Sequence, residues 1–254
     1  TQSYFWSDFT AAKPRVPQLD GPRGQGTVAM ATHLQVGRRG TYFCDPWRVG
    51  IVQSDGIVKT LAGYRHKPTP SFYSGPQELE LVGDWGAIPS ERRGFHELWG
   101  MAWDPRTLGT STTAPPIEGE QPHVLGPTAF VADTQNNRIC KLVFSPTSRD
   151  APPKVTEFIV GISDPWDCVC DEGGTLYVSE RLSHRIVAYN GTTGALIRVV
   201  VSGPNMSGIN GSRQPFRRNP LVTVQAQTCV GPEGLYLQDG WLYFGSRAME
   251  PVSY

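Results

Sequence analysis

The segments VADTQNNRI (Val131–Ile139) and YVSERLSHRI (Tyr177–Ile186) decide the fold. Each is an apolar run, an acidic residue, a short turn and a second run that opens on Arg-Ile. GTYFCDPWRVGI (Gly40–Ile51) aligns with both without gaps, placing Asp45 on Asp133 and Glu180, and Ile51 on Ile139 and Ile186. A fourth copy starts at GWLYFGS (Gly240–Ser246). Short apolar runs bounded by turn formers predict strands, and their recurrence predicts a repeat architecture.

Further strand-like runs flank the copies. Thr27–Val36, Leu98–Asp104, Trp166–Asp171 and Gly234–Gln238 precede them; Ile57–Ala62, Lys154–Val160 and Ala195–Val201 follow. Asp55-Gly56, Asn190-Gly191 and Asp239-Gly240 read as two-residue hairpin turns, with Glu172-Gly173-Gly174 a close relative. The unit is therefore four antiparallel strands. Tyr42–Asp45, Ala129–Asp133, Leu176–Glu180 and Leu242–Ser246 are expected to be equivalent middle strands of successive sheets. From Asp45 through Asp133 and Glu180 to Ser246 the spacings are 88, 47 and 66 residues. A bare four-stranded unit needs ~40–45, so the excess is loop, placed at Tyr64–Glu97, Thr110–Gln121 and Gly203–Pro220. The last of these carries a small basic patch, Arg213, Arg217 and Arg218.

Composition agrees. Gly and Pro number 28 and 22 of 254 residues, which favours frequent turns over long helices. Hydrophobic residues make up 39%, enough for a sizeable core. Lys+Arg and Asp+Glu both number 23, and this zero net charge argues against a broadly basic nucleic-acid binder. No apolar run reaches the ~18 residues of a membrane helix. The first residues show no signal peptide, and the chain lacks an initiator Met. Three Asn-x-Ser/Thr triplets, at Asn190, Asn205 and Asn210, permit a secreted or extracellular location. The five cysteines (Cys44, Cys140, Cys168, Cys170, Cys229) contain no CxxC and read as buried thiols in preference to a disulfide framework. Cys168 and Cys170 should face the same side of one strand.

The Val131–Ile139 and Tyr177–Ile186 segments resemble the NHL repeat, in which an apolar strand, Asp and a short turn lead to Asn-Arg-Ile. GIVKTLAG (Gly56–Gly63) resembles the last strand of such a blade, and Pro232-Glu-Gly-Leu resembles the start of the inner strand. Gluconolactonase-like propellers and the amidating lyases are related. The resemblance implies an all-β propeller of four-stranded antiparallel blades, with about three and a half blades visible. Residues 1–26 form an N-terminal extension, and the blades run at about 27–63, 98–161, 165–203 and, incomplete, 232–254. Six blades usually close such a ring. The expectation is therefore a partial propeller, completed by further sequence or by a neighbouring subunit, with Ser3–Phe9 as an alternative closing strand.

Candidate chemistry lies where the inner strands begin. The equivalent lead-ins are Glu97-Leu-Trp-Gly100, Asp164-Pro-Trp-Asp167 and Gly231-Pro-Glu-Gly234. Glu97, Asp167 and Glu233 are expected to approach a common axis with His96 nearby, where like charges would raise one pKa or recruit a cation. In the gluconolactonase-like relatives a divalent cation is held by carboxylate and amide oxygens near this axis, so the resemblance implies Ca²⁺ as the cofactor to consider. The five histidines are scattered, which disfavours a three-His zinc site, and GxSxG is absent. Trp47, Trp99 and Trp166, with Arg181 and His184 of the third turn, are the candidate binding residues, core packing being the competing reading for the tryptophans. Asp133 and Glu180 are expected to cap their turns, and Arg138 and Arg185 to pair with a neighbouring blade.

Two functions follow. The favoured expectation is a non-catalytic scaffold or binding module that presents loops to a protein or glycan partner, within a larger assembly. The alternative is a metal-dependent hydrolase or lyase with a divalent cation on the propeller axis.

Overall fold

The computed structural model describes residues 19–28, 30–37, 40–67, 78–108, 126–148, 151–203 and 229–246. Ser3–Phe9, Thr110–Gln121, Arg213, Arg217 and Arg218 lie outside the described residues. The rest is all-β, built as successive antiparallel meanders. The first sheet runs β1 (His33–Gly37), β2 (Gly40–Asp45), β3 (Arg48–Gln53), β4 (Val58–His66) and β5 (Leu79–Val82). The second runs β6 (Leu98–Trp103), β7 (Thr128–Asp133), β8 (Arg138–Val143) and β9 (Lys154–Val160). The third runs β10 (Pro165–Cys170), β11 (Thr175–Glu180), β12 (Arg185–Asn190) and β13 (Leu196–Ser202). β14 (Pro232–Gln238) and β15 (Trp241–Ser246) form the fourth. The four repeated segments are thus second strands of four separate sheets, as the alignment requires. Among the described residues no helix is long and apolar enough to cross a membrane.

The described residues fall into two compact units, one within Thr1–Trp99 and Asp150–Thr156, the other within Gly100–Arg149 and Glu157–Tyr254. In the second unit, side-chain alternation assigns each strand's two faces to different cores. Leu176 and Val178 of β11, with Val187 and Tyr189 of β12, pack against Phe130, Ala132 and Ile139 of the second sheet. The intervening Tyr177, Ile186 and Ala188 face Leu235 and Leu242 of the fourth. β11 and β12 are therefore buried on both faces, and a fully buried Leu or Val there stabilises by about 1.5–3 kcal/mol. All five cysteines are unbridged, four of them buried. Cys168 and Cys170 share the side that faces the first of these cores.

The repeated acid and arginine turn out to be partners of each other. Asp45 stands directly opposite Arg48, Asp133 opposite Arg138, and Glu180 opposite Arg185 at the close of each hairpin. Arg48 Nε donates to Asp45 at 2.9 Å and Arg138 Nε to Asp133 at 2.7 Å. Arg185 Nη2 donates to Glu180 at 2.7 Å, and the Tyr189 hydroxyl adds a bond of 2.9 Å to the same carboxylate. The expected pairing of Arg138 and Arg185 with a neighbouring blade is corrected: Arg138 takes its second carboxylate, Glu157 at 2.6 Å, from β9 of its own sheet. Direct cross-strand placement makes this the shortest path for a guanidinium that the hairpin itself buries. Turn capping is also a lesser role than expected. Asp45 accepts the Trp47 N–H at 3.3 Å, but Asp133 makes no side-chain cap.

Two other expectations change. Of the three expected two-residue turns only Asp239-Gly240 is one, both residues having positive φ (49° and 77°) and Gln238 facing Trp241. After Asn190 the chain takes five more residues before β13, because the Asn190 side chain accepts the amides of Thr192 and Thr193 and prolongs the turn. Tyr64–Glu97 is not all loop. β4 continues to His66 and pairs with β5, where Arg65 bonds Glu80 at 3.0 Å. Trp85, Ile88 and Phe95 bury themselves beyond it.

Candidate active site

Backbone geometry sets the true register of the three lead-ins. Glu97, Asp164 and Gly231 each precede an inner strand by one residue, and their φ values are 58°, 53° and 51°. This shared left-handed residue, rare for anything but Gly or Asn/Asp, makes them equivalent. Trp99, Trp166 and Glu233 then share the third position, and Gly100, Asp167 and Gly234 the fourth. Glu97, Asp167 and Glu233 therefore occupy three different positions of the lead-in, not one.

In the second unit the turns hold these lead-ins in place. Asn137 and His184, both left-handed (φ 50°), accept the amides of the first lead-in residues. Asn137 Oδ1 takes the Asp164 N–H at 3.0 Å, and His184 Nδ1 takes the Gly231 N–H at 2.9 Å. His184 is thus a clasp between a hairpin and the next inner strand. Register shifts fall just after: between Pro165 and Asp167 in β10, and between Pro232 and Leu235 in β14. Trp166 and Glu233 sit in these bulges, which re-aim side chains out of the ladder.

Arg181 joins the two bulges. Its guanidinium lies 3.9 Å from the centroid of the Trp166 ring, bonds Asp164 through Nε at 2.6 Å, and brings Nη1 to 3.9 Å from Glu233 Oε1. Arg181 and Glu233 both keep solvent contact, their side chains 22% and 33% exposed. Trp166, Arg181 and Glu233 are therefore gathered at one place. Trp47 is buried in the core of the first unit, so core packing describes it, while Trp99 is half-buried.

Next to Trp166 in β10 stands Asp167. Its Oδ1 accepts the Cys168 N–H and its Oδ2 the Leu235 N–H, each at 2.8 Å, so the carboxyl bridges β10 to β14. On its other flank stands Gly100 of β6, where a Cβ would fall 2.2 Å from Oδ1 and 2.5 Å from the Asp167 Cα. Only glycine at position 100 leaves room for this acid. The residue retains 9% of its exposure. Burial raises its pKa from 3.8 to about 7, against the opposing pull of the two N–H bonds. Ser179, fully buried on β11, accepts the Asp167 N–H at 2.9 Å and reaches the carbonyl oxygens of Glu233 and Asp167 at 3.2 and 3.3 Å.

Among the described residues, Glu97, Asp167 and Glu233 do not gather into a calcium site. Among the described residues no group of three or more His, Cys, Asp or Glu side chains could hold a metal ion. Both Asp167 oxygens are already engaged by backbone amides, whereas Ca²⁺ takes six to eight oxygens at about 2.3–2.6 Å.

No protein-family model matches the chain, and no curated protein does. Solved structures resemble it in fold. A protein from Bacteroides uniformis described as a putative 6-phosphogluconolactonase aligns at 16% identity and a TM-score of 0.44, over 85% of this chain and 49% of that one. A gluconolactonase from Xanthomonas campestris aligns at 13% identity and 0.35, over 82% and 80%. Regucalcin from Agrobacterium tumefaciens, described as calcium-binding, aligns at 14% and 0.29, over 65% and 58%. The chain thus spans about half the length of the first. The likeness is to gluconolactonase-like propellers; the NHL label finds no match. The favoured expectation of a non-catalytic scaffold is corrected here. The three similar structures named above are described as two lactonases and a calcium-binding protein.

Of the residues named from the sequence, Trp166, Arg181 and Glu233 lie together with Asp167 beside Trp166 in β10, while Asp164, Ser179 and Gly100 were not named as site residues. Aligning the lead-ins on the residue that Gly231 occupies, rather than on their acids, would have found Asp164 and Gly100. Ser179 carried no signal, because a serine in a strand is ordinary.

Proposed function

We propose that the protein is a hydrolase-type enzyme that opens a small ester ring, with Asp167 as general base. The carrying observation is the Asp167 carboxyl, wedged against Gly100 of β6 and bonded to the Leu235 N–H of β14, where burial pushes its pKa up to about 7. A base is most effective when its pKa lies near the working pH. In the proposed step the Asp167 carboxylate takes a proton from water as its oxygen bonds to the acyl carbon. The ring C–O bond then breaks, and the same proton passes to the departing alkoxide. Arg181, offering charged N–H donors beside Glu233, supports the negative charge on the acyl oxygen. The sequence lacks GxSxG, which agrees with direct attack by water.

Lactones, named for two of the similar proteins, are the compounds to assay first. Purified protein should accelerate δ-gluconolactone hydrolysis in a pH-stat assay, and Asp167→Asn should lower kcat by about 10²-fold or more. Equal rates for the two proteins would remove Asp167 from the chemistry.

A further inference from the structure

Ser179 has no part in the step just described, yet it touches both halves of the site. It is fully buried at the end of β11, directly opposite Asp167 across the ladder. Its hydroxyl oxygen accepts the Asp167 N–H at 2.9 Å. Its single proton can go to either of two carbonyl oxygens, that of Asp167 at 3.3 Å or that of Glu233 at 3.2 Å. A hydroxyl has one donor and two acceptor lone pairs, so it can serve the two strands at once.

The two backbones it reaches are the bulged ones. At Trp166 the β10 ladder slips, and Asp167 regains register only opposite Ser179. In β14 the slip spans Glu233 and Gly234, and the next residue, Leu235, sends its N–H to Asp167 Oδ2 at 2.8 Å. A bulge disrupts local backbone pairing, and a buried amide left without an acceptor is destabilising. Ser179 supplies the acceptor from a side chain where the distorted ladder needs it.

We infer that Ser179 is a positioning residue that fixes the Asp167 carboxyl relative to the Arg181–Glu233 pair by tying the β10 bulge to the β14 bulge. This rests on the proposed role of Asp167 as base. Ser179 touches no reacting atom and acts through the backbone of Asp167. Without it the Asp167 amide loses its acceptor, the β14 lead-in loses a tie, and the Leu235 bond to the carboxylate slackens. The amide bonds favour the charged carboxylate, so weakening them moves the Asp167 titration upward.

The test compares Ser179→Ala, Ser179→Cys and Ser179→Thr in the full chain, Thr keeping the hydroxyl and Cys offering a weaker acceptor of similar size. The first readout is the ¹³C carboxyl titration of Asp167 in protein labelled at aspartate, assigned by its loss in Asp167→Asn. Ala and Cys should raise the titration midpoint by about half a pH unit or more, with Thr returning it toward the parent value. The second readout is lactone hydrolysis, in which Ala should lower kcat about tenfold and leave KM within about twofold, since misplacement of a working group falls on kcat. If Ala fails to fold, Cys and Thr carry both comparisons. A folded Ala or Cys variant whose Asp167 titrates as in the parent overturns the inference. If the parent hydrolyses no lactone, the proposed function fails, and the titration still decides the role of Ser179.

Discussion

Replacing Arg138 by Met should remove about 3–5 kcal/mol of stability from the second unit near neutral pH. Arg138 is 1% exposed and holds two carboxylates, Asp133 at 2.7 Å and Glu157 at 2.6 Å. Methionine fills the stem volume but takes the guanidinium away from the fully buried Asp133, which also accepts the Asn136 amide at 2.9 Å. Glu157, with its side chain 17% exposed, can turn toward water, so the loss falls chiefly on Asp133. Domains hold only about 5–15 kcal/mol in total, so the effect is large. It also has a sign in pH. An orphaned buried carboxylate has its folded-state pKa raised, so it binds a proton more readily when folded, and the deficit should shrink as pH falls from 7.5 toward 5. The double variant Asp133→Leu/Arg138→Met should recover at least about 2 kcal/mol of the summed losses, because the fully buried carboxylate is removed along with its partner. Urea unfolding, read with hydrogen exchange of the β7 and β8 amides, measures the local value. A loss under about 1 kcal/mol at pH 7.5 that does not change at pH 5 would refute the reasoning.

Two further outcomes concern the acid between the inner strands. Gly100→Ala places a methyl group 2.2 Å from Asp167 Oδ1 and 2.5 Å from its Cα, so the strands must part; a melting scan and the lactone assay should both fall, by about 2 kcal/mol or more and about tenfold or more, and an unchanged melting temperature would contradict the close approach. Asp167 should also leave a signature in stability against pH. Its folded pKa of about 7 lies above the ordinary 3.8, so ionisation opposes folding and stability is lost as pH rises from about 4 through 7, by up to about 4 kcal/mol. Asp167→Asn abolishes that slope at a constant cost of one N–H bond; denaturation midpoints from pH 4 to 8 that run parallel in the two proteins would contradict it.

Much of the fold was legible because its causes are local. The period-two runs around Asp133 and Glu180 place their apolar residues on alternating faces whatever surrounds them, and β6, β9, β10 and β13 fell within a residue or so of expectation. β5 was missed because LELV, four residues between charges, becomes a strand only where the prolonged β4 offers it an edge. The Asp–Arg pairs were misassigned because cross-strand register, which puts Arg138 opposite Asp133, is not visible in their spacing. The site was half legible. Lead-in residues could be found from the repeat, but their alignment turns on a left-handed φ at Glu97 and Asp164 that acidic residues do not advertise. Asp167 fits its slot because Gly100, at the same slot of the preceding lead-in, leaves open the space its carboxyl occupies.

The central claim is that Asp167 is a proton-exchanging group poised near neutrality between β6 and β14. Titrating the ¹³C carboxyl resonance of Asp167 in the intact protein, assigned by its disappearance in Asp167→Asn, tests it most directly. The account predicts a midpoint near 7, set by burial over two amide bonds. A midpoint near 4, the value of a solvated aspartate, would contradict it.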